Sequence, residues 1–261
     1  MNGRVADHGQ RTAAHVQEVF LPVFDLVELW RGEIASLFET FAASGRPLTA
    51  SVLDPLMHEL ASPALSAPQG LITGAGFVAT PGVLADAPWH LAWWLREIRG
   101  IDRGDRGGIR RLEAVEDPES DEFRDYRMLE WWRVPERTGE RHVTGPYVDY
   151  LCTDDYTITV TVPVVHAARM VGMVGVDVHV SRIEPILLPS LRDAEGTATI
   201  VNTQGRVVVS SETRRVTGSL LRDAEVHDAL AVIHDGGRTS TVGSTTAISC
   251  GDTELILVQQ R

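Results

Sequence analysis

The stretch from about Asp7 to Ser44 limits what this chain can become more than any other. Apolar residues Val16, Val19, Phe20, Val23, Phe24, Val27, Trp30, Ile34, Leu37, Phe38 and Phe41 recur there at steps of three and four, the spacing of one helix face. One long amphipathic helix explains the pattern. Pro22 is expected to kink it, because proline removes a backbone donor and crowds the preceding turn. "ASGRPLTA" ends the pattern in a Gly and Pro signal, and "SVLDPLMHELAS" predicts a second, short helix. The apolar stripe is broader than a solvated helix needs, which points to a homodimer contact along it.

The remainder is rich in strands. "QGLITGAGFVAT", "PWHLAWWLRE" and "GIRRLEAVE" are strand-length runs separated by Gly, Pro and Asp, and "DPESDEFRDYRMLEWWRVPERTGE" reads as helix or irregular structure. Strands are expected through Val148, from Tyr156 to Val165 and from Met170 to Val180, with Pro163 marking a strand end or edge. "SRIEPILLPSLRD" predicts a connecting helix. A hairpin around "NTQG", a helix through "LLRDAEVHDALAVIH" and strands "GRTSTV", "STTAISC" and "TELILVQQ" complete the chain. The expected organisation is a helical segment over 1–68, an αβ unit over 69–181, and a linker helix with a smaller αβ unit over 182–261.

Charge narrows the function. The 24 basic residues, all Arg, stand against 36 acidic ones for a formal charge of -12, and no basic tract is dense enough to follow a phosphate backbone. That argues against nucleic acid as a direct partner. Cys152 and Cys250 lie far apart, so the sequence leaves their pairing open and two reduced thiols are expected. The N-terminus has neither an apolar core nor a small-residue cleavage site, and no apolar run is long enough to span a bilayer. A soluble, cytoplasmic protein without a membrane contact is expected.

Chemistry concentrates on two segments. In "MVGMVGVDVHV" the even positions are apolar or glycine, while the odd face presents Asp177 and His179 beside Gly175, whose missing side chain leaves space above the strand. A solvent-facing Asp177 is the alternative. In "TGPYVDYLCTDDYTITVTVPV", Tyr147 and Asp149 are two apart and so share one side of an extended segment, and a row of threonines follows on one face of the next strand. Two carboxylates among aromatic faces, with Trp89, Trp93 and Trp94 as further lining, suit a small cation: acids neutralise an ammonium and rings attract it, each ring by roughly 0.5 to 2 kcal/mol. Trp93 and Trp94 are neighbours in a strand and face opposite sides, so only one of them is expected to touch ligand.

Trp131 and Trp132, then Tyr147 fifteen positions after Trp132, Asp149 two further on and Asp177 twenty-eight beyond that resemble the ligand motif of double Cache sensor domains. The segment "GPYVDY…YTITVTVPVVHAARMVGMVGVDVHVSRIE" looks like the body of such a domain. The resemblance implies an α+β fold, with a long N-terminal helix followed by two PAS-like lobes built on antiparallel sheets, the first of them binding ligand. It further implies a non-catalytic sensor for an amino acid or small amine that needs no cofactor and signals through its own dimer or a partner such as a transcription regulator. Two departures stand out. Amino-acid-binding members carry an Arg two positions before the Trp to clamp the ligand carboxylate, where this chain has Leu129, flanked by Arg127 and Arg133; and Trp132 replaces a Tyr.

Two other classes compete. A metal-dependent enzyme would use Asp154, Asp155 and His166 as oxygen and nitrogen ligands, though no metal-binding, nucleophile-elbow or phosphate-loop motif accompanies them. A ligand-free interaction scaffold would have a collapsed pocket. The second αβ unit lacks an aromatic and acidic cluster and is expected to be structural.

Overall fold

The computed structural model describes residues 2–97, 108–148 and 155–261. Helix α1 (Asn2–Ala43) is the expected long helix. It continues through Pro22, and the division of the chain into two compact units falls at that residue instead of a helix end. Its inward stripe is spent on the chain's own core: Val16, Phe20, Val27, Trp30 and Ile34 are each 1% exposed or less. The breadth of the stripe, which suggested a dimer, therefore has an internal use, and among the described side chains of α1 the exposed large apolar ones are Leu21 and Leu29.

One unit, Val23–Thr144 with Thr159–Val178, carries most of a six-stranded sheet. Its strands are β1 (Ile72–Ala79), β2 (Leu91–Arg96), β3 (Ile109–Arg111), β4 (His142–Val148), β5 (Tyr156–His166) and β6 (Arg169–His179), in the order β3-β2-β1-β6-β5-β4. The central strands β1 and β6 are buried on both faces, β1 throughout and β6 from Val171 onward. Such strands read as continuous apolar runs, and burial replaces the in-and-out alternation expected for β6. Pro163 lies inside β5, which runs between β6 and β4, so it marks neither a strand end nor a sheet edge.

Helix α2 (Ala50–Ser66) buries Leu53, Met57, Ala61 and Leu65, a strict four-residue stripe, against β1 and β2. Its partner on β2 is Trp94, which meets the His58 ring at 5.3 Å, while Arg111 sits 5.8 Å over the indole. Between β3 and β4 lie a 3-10 turn (Tyr126–Met128) and helix α3 (Glu130–Thr138), which closes on Gly139 in the left-handed region at φ 73°.

The second unit, 1–22 with Gly145–Ile158 and His179–Arg261, holds helix α4 (Val180–Arg192) and a five-stranded sheet. That sheet comprises β7 (Thr197–Asn202), β8 (Val207–Ser210), β9 (Thr239–Val242), β10 (Thr245–Ser249) and β11 (Leu255–Gln260), in the order β8-β7-β11-β10-β9, with helix α5 (Ala224–His234) packed on β9 and β10. The "NTQG" hairpin forms because Asn202 Oδ1 accepts from the backbone N–H groups of Gln204 and Arg206 and Gly205 supplies φ 79°. Inside, Val201, Val207, Val226, Ala229, Leu230, Ala247, Ile256 and Val258 form an aliphatic core.

Candidate functional site

Asp177 is 5% exposed, so the solvent-facing alternative is wrong. It sits near the end of β6 with β1 on one side and β5 on the other, where both faces are covered. The threonine row of β5 has an explanation here. Thr159 Oγ1 donates to Asp177 Oδ1 at 2.6 Å, and Thr161 Oγ1 donates to the Trp131 carbonyl at 2.8 Å, pinning the first turn of α3 to the strand. From β1, Thr73 Oγ1 donates to the Asp177 carbonyl at 3.1 Å.

The other carboxyl oxygen meets a bare stretch of sheet. Gly74 pairs with Asp177 on β6 and with Leu95 on β2, so the three share a face. A Cβ added at Gly74 would stand 2.6 Å from Asp177 Oδ2 and 2.9 Å from Trp93 Nε1. The carboxyl oxygen and the indole nitrogen thus converge on one glycine and lie within about 5.5 Å of each other, the sum of those two distances. The indole reaches that point across two more glycines: its Cε3 lies 2.8 Å from a Cβ built at Gly76, and its Cη2 3.2 Å from one built at Gly175. The space left by Gly175 is therefore filled by the Trp93 ring. Trp93 Nε1 is buried without a hydrogen-bond partner, an uncommon state for an indole N–H.

Trp93 is therefore the tryptophan on the Asp177 face, and Trp94 faces α2. Trp131 is half-buried on α3, and Trp132 is wholly buried with its Nε1 also unpartnered. Both pack on Tyr126, Trp132 at 5.1 Å and Trp131 at 6.3 Å between ring centroids, and Trp89 completes the cluster at 5.2 Å from Tyr126. Tyr126 is fixed by donating to the Ala79 carbonyl at 2.6 Å, and burial pushes its hydroxyl pKa upward. Sequence reasoning did not single out Tyr126, although it is the hub on which the three tryptophans meet.

Arg127 is exposed. Its guanidinium donates to both oxygens of Asp125, at 3.0 and 2.8 Å, and lies 4.8 Å over the Trp89 ring. That bidentate contact raises the Arg127 pKa and lowers that of Asp125. Arg133 is exposed on α3. Tyr147 is half-buried on β4 and belongs to the unit of the five-stranded sheet. Asp149 and Cys152 lie outside the described residues. Cys250 is a buried thiol pushed up to about 12 by desolvation.

The residues suggested for a metal do not gather in the described part of the chain. Asp154 is outside it, Asp155 stands 3.5 Å from His179 Nδ1, and His166 meets Glu39 at 3.1 Å. Among the described residues no group of three or more His, Cys, Asp or Glu is placed to hold a metal ion. Nor is any helix among them long and apolar enough to cross a membrane.

A second polar cluster escaped sequence reasoning. His90 Nε2 is 2.7 Å from Asp54 of α2 and its Nδ1 is 3.0 Å from Glu116, at ion-pair distance though outside hydrogen-bond geometry; Asp54 also pairs with Arg111 at 2.7 Å. Burial alone lowers the His90 pKa, but the hydrogen bond and charge of Asp54, helped by Glu116, outweigh it and the net shift is upward.

Residues 107–185 match the family described as methyl-accepting chemotaxis protein-like, first PDC sensor domain. Comparison with curated proteins finds no match. Among solved structures, the fold is similar to the ligand-binding domain of the Campylobacter jejuni chemoreceptor Tlp3 in complex with L-valine, at TM-score 0.59 and 11% identity over 99% of this chain and 91% of that one. It is also similar to the extracellular domain of the histidine kinase soHK1S-Z6, at TM-score 0.57 and 13% identity over 100% of this chain and 94% of that one. The ligand-binding domain of the Pseudomonas aeruginosa PAO1 amino acid chemoreceptor PctC, in complex with GABA, gives TM-score 0.54 and 15% identity over 99% of each chain. The long helix and the two antiparallel sheets are thus the fold of these sensory domains, and the family match spans the segment that carries Trp131, Trp132 and Asp177.

Proposed function

We propose that this chain is a Cache-type sensor domain that binds an amino acid or small amine in the unit of the six-stranded sheet, without chemical change to the ligand. Asp177 is the acceptor for the ligand ammonium, and Trp93, Trp131 and Trp132 supply aromatic surface around it. The observation that carries the proposal is the buried Asp177 carboxyl group, with one oxygen on Thr159 and the other near the buried Trp93 Nε1 over Gly74. An ammonium that reaches a buried carboxyl group makes a charge-assisted hydrogen bond, among the stronger polar contacts a ligand can form. The ligands named with the similar structures, L-valine, isoleucine and GABA, each join an ammonium to a carboxylate and support the same class. Relay through a homodimer or a partner along α1 belongs to this proposal, with Leu21 and Leu29 as its exposed apolar residues.

The test is thermal unfolding of the protein against amino acids, primary and quaternary amines, polyamines and plain carboxylates. A ligand at one hundred times its dissociation constant is expected to stabilise the fold by about 2.7 kcal/mol, a rise of a few degrees. That shift is expected to disappear in Asp177→Asn. A shift given by carboxylates alone, or one that persists in Asp177→Asn, would remove Asp177 from the site.

A further inference from the structure

Trp93 holds a feature of the Asp177 site that a bare ammonium leaves unused. Its ring is seated on Gly74, Gly76 and Gly175, where side chains would collide with it, so the direction of its N–H is set by the sheet. Because Nε1 is buried and lacks a partner in the described structure, it is a donor held ready for an acceptor. Because it converges with Asp177 Oδ2 on the same glycine, any acceptor that fills it must lie close to whatever Oδ2 binds.

Resting on the proposed ligand site, we infer that Trp93 is a specificity-determining residue whose Nε1–H donates to an oxygen of the bound ligand. The site is thereby selective for amines that carry an acceptor oxygen a few bonds from the nitrogen, as an amino acid does, over plain alkylamines. The spacing permits this. Hydrogen bonds of about 2.9 Å from an ammonium to Oδ2 and from Nε1 to a ligand oxygen can be made together across a gap of about 5.5 Å or less. A plain amine can meet Asp177 but leaves the indole N–H buried and unpaired, and a site built to hydrogen-bond a group discriminates against analogues that lack it.

The experiment is isothermal titration of wild type, Trp93→Phe and Asp177→Asn with the twenty proteinogenic L-amino acids, each beside the amine that lacks its carboxylate. Phe keeps an aromatic ring on the glycines and removes the N–H. For the amino acid that binds wild type most tightly, Trp93→Phe is expected to weaken binding about tenfold more than it weakens that of the matched amine, the effect of one buried hydrogen bond. Equal loss for both members of the pair, loss for neither, or a wild type that prefers the amine would overturn the role of Trp93 and leave the Asp177 site standing. If no pair binds wild type, or Asp177→Asn binds as well as wild type, the site itself is wrong and the inference fails with it. Should Trp93→Phe fail to fold, the indole N–H resonance of Trp93 in wild type decides: it is expected to move on saturation with the amino acid, and an unmoved resonance overturns the assignment.

Discussion

The two sheets of this protein fill their interiors in opposite ways. The five-stranded sheet and α5 close over Val201, Val207, Val226, Ile256 and Val258, side chains with nothing to hydrogen-bond. The six-stranded sheet gives its equivalent central positions to Gly74, Gly76, Gly175, Asp177 and Thr159, with an indole laid across the glycines. The first arrangement contributes stability by area alone, about 25 cal/mol per Å² of apolar surface removed from water. The second forgoes part of that and keeps a carboxyl group and an N–H donor inside. Antiparallel sheets thus serve as core in one unit and as a candidate receptor floor in the other, and the choice lies in about five residues.

The largest effects are expected where each arrangement is tightest. A Cβ at Gly76 would stand 2.1 Å from the Ala92 carbonyl oxygen and 2.7 Å from Trp93 Cα, both backbone atoms that cannot turn aside. Gly76→Ala is therefore expected to destabilise by about 3 kcal/mol in urea unfolding, the upper end for overpacking by one methyl. Ile256→Ala in the aliphatic core is expected to cost about the same by the opposite route, a cavity. If Gly76→Ala proves nearly neutral, the indole is not fixed on the glycines and the contrast between the two units collapses.

Thr159→Val sharpens the contrast at smaller scale. It keeps the shape and removes the hydroxyl that donates to Asp177 Oδ1 at 2.6 Å, so the loss is expected at about 2 kcal/mol, as for a buried hydrogen bond to a carboxyl group. Thr241→Val on β9 removes only the exposed 3.2 Å contact with Thr246 and is expected to stay within about 0.5 kcal/mol. Urea titration of both variants checks the ordering; equal losses would mean that Asp177 draws no special support from Thr159.

How much of this was legible beforehand follows from the range over which each feature is set. The helices and strands were readable because periodicity and turn chemistry are local: the α1 stripe, the "NTQG" hairpin and the alternation that singled out Asp177 all lie within single segments. The threonine row was visible as a pattern, but its purpose required β5 beside β6. The Trp93 seat was hidden because it depends on register. Gly76 faces Trp93 on one side and Gly175 on the other, and no local signal aligns strands about a hundred residues apart. The burial of both faces of β6 was hidden for the same reason, since what covers a sheet comes from elsewhere in the chain. Arg127 differs: its bidentate partner Asp125 is two residues away, and that local pairing was available in "RDYR".

A further small effect is expected at His90, the residue before the β2 strand that carries Trp93. Asp54 and Glu116 raise its pKa above the ordinary 6.5 by favouring the charged ring. A group with a raised folded pKa contributes stability that is fully present below its unfolded value and is lost as pH rises through the folded one. Unfolding free energy is therefore expected to decline between about pH 6.5 and the folded pKa of His90, and the decline is expected to be absent in His90→Asn. Glu116 is 38% exposed and Arg111 43%, so solvent screens part of the cluster and the change is expected to be smaller than that of Thr159→Val. Urea titrations at pH 6 and pH 8 measure it directly. A stability that rises over that interval in wild type but not in His90→Asn would mean that burial wins over the two carboxylates and His90 is held neutral. The desolvation of the ring would then outweigh the hydrogen bond and the charges that Asp54 and Glu116 offer it.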